Sequence, residues 1–120
     1  MNTQNLNGWI TTWRAHTATS GAGEPVLTLR SLTHPIRCES VQPSDRRVQE
    51  AHAQHVELAR LVLVRPSALR AQSITATVGD RVNVRVTRPI AEELDLEITA
   101  TRPRDDGTLE LSCAIRRDGQ

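Results

Sequence analysis

Phenylalanine, tyrosine and lysine are all absent from this 120-residue chain. Aromatic residues make up 2% of it, and both are tryptophans near the start, Trp9 and Trp13. A barrel that binds single strands by stacking bases needs aromatics on its strands, so a small nucleic-acid-binding β-barrel is the weaker alternative here. Without lysine, all 15 basic residues are arginine. These are rigid guanidinium forks suited to carboxylates or phosphates at interfaces. An excess of one charge is also lacking: the formal net charge is +1, which argues against broad, non-specific binding to nucleic acid or membrane. No apolar run approaches membrane-spanning length. Cysteine is scarce, with only Cys38 and Cys113. In the absence of a signal peptide they are expected to be reduced, buried thiols of an intracellular protein.

Chemical motifs are missing as well. No Ser or Cys sits in a nucleophile motif, and no glycine loop could cradle a phosphate, since Gly21 and Gly23 form a lone pair in a connection. His52 and His55 stand three apart, with Glu50 and Glu57 nearby. A zinc site needs three or four ligands, and ordinary surface or packing histidines fit better. Asp105 and Asp106 beside Gly107 read as turn residues. No enzyme activity, metal or cofactor is expected.

What is present is aliphatic. Ten Val, six Ile and twelve Leu, with thirteen Thr, tilt the chain toward strands. The length suits one domain, residues 1–120, with 1–7 a loose N-terminal arm. Trp9, Ile10 and Trp13 begin a strand running toward Thr19. Residues 26–32 return from it after the flexible Ser20-Gly21-Ala22-Gly23. Residues 36–41 form another strand. From Ser73 the alternation is cleaner: Ile74, Ala76 and Val78 point one way before Gly79-Asp80 turns the chain. Val82, Val84 and Val86 follow, then Leu94, Leu96, Ile98 and Ala100, then Leu109, Leu111, Cys113 and Ile115. Asp106-Gly107 marks a hairpin tip. Period-two alternation puts one face in a core and leaves the other to solvent or a partner. About seven or eight short antiparallel strands with turns between them predict an all-β fold, a small barrel or sandwich.

One stretch, residues 40–65, breaks that pattern. Leu61, Val62, Leu63 and Val64 form an uninterrupted apolar run, read as a strand buried on both faces and stopped by Pro66. Residues 66–72 read as a turn or one helical turn. Ahead of the run, Ser44 can cap a helix with Asp45 at its positive end. Val48, Ala51, His52 and His55 give that helix only a thin, weakly apolar stripe. A helix on a long connection with little to bury is a functional candidate. Ser44, Asp45, Arg46, Arg47, Gln49, Glu50 and His52 are therefore the candidate channel-facing or intersubunit residues. Arg46 and Arg47 are its most interesting charges, either solvated beside Asp45 and Glu50 or set to meet phosphate or a neighbouring subunit. A second set, Arg81, Arg85 and Arg88 on one strand with Glu93, Asp95 and Glu97 on the next, fits cross-strand pairing. Its functional reading is a charged face meeting a neighbouring copy.

Glu39-Ser40-Val41-Gln42-Pro43, the polar excursion from Ser44 to Gln54, and the strand from His55 to Arg65 together resemble the head-closure proteins of tailed bacteriophages. These are the head–tail joining or stopper proteins of the connector. The resemblance resumes at Gly79-Asp80-Arg81-Val82. It is strongest at the end, through Leu94-x-Leu96-Glu97-Ile98-x-Ala100, Arg102-Pro103-Arg104-Asp105 and Gly107-x-Leu109-Glu110-Leu111-x-Cys113. It covers residues 24–116, through the order and spacing of loose motifs. The chain departs in having Leu where the family often has aromatics, and in extra length at residues 73–78 and 88–92. The resemblance implies a small β-barrel or sandwich that forms a homo-oligomeric ring below the portal and adaptor. Such a ring closes the DNA-filled head, contacts packaged DNA without sequence specificity, and docks the tail terminator or tail tube. It also implies a virion location, with assembly in the host cytoplasm and no membrane partner. A tail terminator or tail-completion ring protein is the alternative within the same class.

Overall fold

Three strands with clean alternation pack side by side, and the rest of the chain wraps round to meet them. The structure is a computed structural model describing residues 6–17, 26–30, 32–55, 57–88 and 90–116. In chain order the elements are β1 (Gly8–Thr17), β2 (Val26–Arg30), β3 (Ile36–Val41), α1 (Asp45–Ala53), β4 (Arg60–Val64), α2 (Pro66–Ala71), β5 (Arg81–Val86), β6 (Glu92–Pro103) and β7 (Leu109–Ile115). The expected Ser20–Gly23 connection and most of the expected N-terminal arm lie outside the described residues.

The strands are antiparallel and run in the order β1-β3-β4-β7-β6-β5, with β5 returning to pair with β1. The all-β expectation therefore takes the form of a closed six-stranded barrel with one extra strand, β2, on the far half of β1. Closure depends on Gly8, which faces Cys38 on β3 and Val86 on β5. A Cβ there would stand 3.1 Å from the Arg85 carbonyl oxygen and 3.4 Å from the Cys38 sulfur. A register shift between Ile10 and Thr12 then lets Ile10 and Trp13 both point inward, which strict alternation would forbid.

A barrel this narrow is filled by its own side chains. Ile10, Trp13, Cys38, Val62, Val64, Val84, Leu96, Ile98, Leu111 and Cys113 are fully buried. Trp13 is the one aromatic in this core, and its indole N–H donates to Asp80 Oδ2 at 3.0 Å. Asp80 is itself buried and also accepts from the Thr77 N–H at 3.0 Å and the His16 N–H at 2.6 Å. Gly79, read as half of a simple turn, has φ +99°, and an added Cβ would meet the His16 ring at 3.0 Å.

Two expectations need correction. Residues 74–78 are not a strand. Helix α2 ends on Gln72, Ser73 takes φ +57°, and the Ser73 and Ile74 N–H groups donate to the Arg70 and Leu69 carbonyls. That is a Schellman ending, and it buries Ile74 beside Leu69. Its burial comes from a helix terminus, which period-two alternation imitates over so short a stretch. Leu6 and Asn7, expected in a loose arm, are tied down. Leu6 is buried, and the Asn7 side chain donates to the Ser40 carbonyl at 3.0 Å and accepts from the Ser40 N–H at 2.7 Å.

Candidate functional site: helix α1 and its seat

The excursion folds as its residues suggest. The Ser44 hydroxyl accepts from the Arg47 N–H at 3.2 Å, Asp45 occupies the first turn, and the helix runs to Ala53. His55 closes it with φ +59°, its N–H donating to the His52 carbonyl. His55 thus lies past the helix in the left-handed conformation, so it does not continue the stripe from His52. Among the described residues, no three His, Cys, Asp or Glu side chains gather as a metal-ligand set.

No residue of α1 is buried. Asp45, Arg46, Gln49, Glu50 and His52 are exposed. Arg46 donates to Glu50 one turn on at 3.1 Å, and its side chain is 89% exposed, so that pair adds little stability. Arg47 is different. Its Nη2 lies 2.7 Å from Glu110 Oε1, and Glu110 is only 1% exposed. Arg102 on β6 takes the other carboxylate oxygen at 3.1 Å. Each oxygen of a buried carboxylate therefore has its own guanidinium, one from the helix and one from the barrel. The expectation of Arg46 and Arg47 as an equivalent exposed pair is corrected: Arg46 faces water, and Arg47 tethers the helix.

This tether sets which face of α1 looks down. Arg47 and Ala51, one turn apart, are its two half-buried residues. The anticipated stripe through Val48 and His52 is turned aside, and Val48 is exposed. Between helix and barrel lies a cleft of about 230 Å³ lined by Arg47, Ala51, Gln54, Leu58, Ala100 and Ser112. Glu110 pairs in register with Leu63, and Ser112 with Leu61, so both leucines share the face that α1 covers. Both are buried, as are Val62 and Val64 on the core side. The strand is buried on both faces as expected, and α1 is tethered on the side of its second face through Arg47 and Glu110.

The second candidate set is largely engaged within the chain, with one pair inside the set. Arg81 pairs with Asp95 at 2.8 Å, and Glu97 with Arg116 at 3.1 Å. Arg116 also binds Glu57 at 2.7 Å, and that contact, with Glu97, holds its pKa above the ordinary arginine value. Arg85 and Glu93 are exposed register neighbours across β5 and β6. Arg88 donates to the Leu6 carbonyl at 2.7 Å.

Glu110 and Asp80 are the site and core residues that sequence reasoning missed. Leu-Glu-Leu alternation at residues 109–111 gives Glu110 the signature of a solvated position, and only its burial under α1 reveals otherwise. Comparison with family models, with curated proteins and with solved structures found no match.

Proposed function

We propose that this chain is a structural protein of a tailed-phage neck, without catalysis. Copies assemble into a ring below the portal and adaptor, close the DNA-filled head and offer a docking face to the tail. The observation that carries this reading is α1. It is a capped helix with no buried residue, held outside a closed barrel on the connection between two core strands. The barrel's core needs little from such an element, whereas a ring can bring several copies of it together around an axis. The polar outer side, with Arg46, Gln49 and Glu50, would narrow the channel. Arg46 would meet phosphate without reading sequence. Arg47 serves as the tether that fixes the helix's angle.

The test uses Arg46→Glu with Gln49→Glu, which avoids the tether. Stability should change by no more than about 1 kcal/mol, as expected of exposed positions. Particles carrying the variant should lose packaged DNA and infectivity. Filled heads that retain DNA and infect like wild type would remove α1 from the mechanism. Heads that retain DNA but carry tails of uncontrolled length would shift the chain to a tail-terminator role.

A further inference from the structure

Of the described arginines, Arg46, Arg47, Arg60, Arg81, Arg102 and Arg116 are in ion pairs, and others, Arg14, Arg70, Arg85 and Arg104 as well as Arg37 and Arg65, are not. Arg37 and Arg65 have no carboxylate partner among the described residues. Both line one cleft of about 500 Å³, otherwise built mainly from apolar side chains including Leu6, Trp9, Ile36 and Ala68. Among the described residues no carboxylate lines it. Trp9 and Arg37 are register neighbours on β1 and β3, and the guanidinium carbon of Arg37 stands 4.6 Å from the centre of the indole ring. Stacking holds that cation in place with its N–H edges free for an anion. An apolar groove edged by two unpaired guanidinium groups suits an aliphatic side chain followed by a carboxylate. It suits single-stranded nucleic acid poorly, since Arg37 covers its one indole and the other apolar walls are aliphatic.

The chain itself carries a segment of that description. In the turn between β5 and β6, Ile90 is 74% exposed, the most exposed large hydrophobic among the described residues. Glu92 and Glu93 follow it; Glu92 pairs with Arg60 at 3.1 Å, whereas Glu93 is exposed and forms no ion pair among the described residues. We propose that the Ile90–Glu93 turn of one copy seats in the Trp9–Arg37–Arg65 groove of the next. Isoleucine enters the apolar part and the Glu93 carboxylate meets the two guanidinium groups, while Glu92 stays paired with Arg60 of its own copy. Knob and groove are different patches of one chain, so the contact is head-to-tail. Such contacts close into a ring when the rotation per copy divides a full turn, and otherwise run on as a filament. The contact names the interface for the ring proposed above; it rests on that reading for its closed end state.

Sedimentation velocity and native mass spectrometry of the full chain test it. Wild type should assemble beyond monomer as concentration rises. Ile90→Asp, and separately Arg37→Glu with Arg65→Glu, should each weaken assembly about tenfold or more with near wild-type melting temperatures. Mixed in equal amounts, the two variants retain one competent knob and one competent groove, and should stop at a heterodimer with one of each. Should the Glu variants fail to fold, Arg37→Gln with Arg65→Gln serves the same cycle. A wild type that stays monomeric would overturn the proposal, including one that binds an oligothymidylate or acidic peptide probe through Arg37 and Arg65. So would variants that assemble as wild type does, or a mixture of folded variants that stays monomeric. Rings that survive both variants would leave the neck reading standing and remove this contact. A confirmed knob and groove in particles whose DNA retention never depends on the chain would do the reverse.

Discussion

Glu110 carries more of the arrangement than its place in a Leu-Glu-Leu strand suggests. Burying one carboxylate is costly unless its charge is neutralised and its oxygens are bonded. Arg47 and Arg102 supply both, one to each oxygen. Either arginine alone still neutralises Glu110, so Arg47→Ala or Arg102→Ala singly should cost about 1–2 kcal/mol. Removing both strands a buried charge, and the double variant should cost about 3–5 kcal/mol, more than the sum of the singles. Urea denaturation of the four proteins measures the coupling, and strict additivity would show that the three groups do not act as a unit. The cysteines behave oppositely, since burial favours their neutral form. Cys38 is pushed from 9.0 to about 12 by burial, partly offset by Arg37, and Cys113 to about 12 by burial with a contribution from Cys38. Both folded pKa values lie above the unfolded one, so the stabilisation is fully present below pH 9.0 and is lost as pH rises through about 12. Native protein at pH 8 should react with a thiol reagent only at its unfolding rate, and chemical stability should fall steadily above pH 9. Fast labelling of either cysteine would contradict this.

At the scale of elements, legibility followed how local the cause was. The cap at Ser44, the β4 run and the Asp106-Gly107 tip were readable because each depends on residues within a few positions. At that tip Thr108 donates twice to Asp106, holding its carboxyl down at about 2. The face on which α1 lies was not readable. It is chosen by Glu110, 63 residues from Arg47, and outweighs the weak apolar stripe through Val48. Residues 74–78 failed for a related reason: Ile74 owes its burial to the end of α2. β4 holds the two sides together, with Val62 in the barrel and Leu63 beneath α1. Val62→Asp should abolish the fold, because a lone carboxylate in that core costs several kcal/mol. Leu63→Asp would set a second carboxylate beside Glu110 and should release α1 before the barrel melts. Circular dichroism melts and hydrogen exchange across residues 45–53 separate the two, and wild-type melting of both variants would sink the assignment.

At the scale of the whole molecule, the alternation gave the strand class, while barrel closure needed information the pattern does not hold. β1 meets β3 and β5 at Gly8, and the Ile10–Thr12 register shift turns Trp13 inward onto Asp80. Neither follows from local periodicity. Closure satisfies the edges of the six barrel strands and leaves β2 at the end of the sheet, with Leu27 and Leu29 exposed. Together with the unburied α1 and the exposed Ile90, these are the features on which the proposed assembly would draw. Native mass spectrometry of the chain mixed with a tailed-phage portal–adaptor complex tests the proposed neck assignment most directly. The expected result is a single closed ring of the chain bound to that complex, with one fixed copy number. A chain that stays monomeric and unbound across the concentration range, while the portal–adaptor complex remains intact, would contradict it.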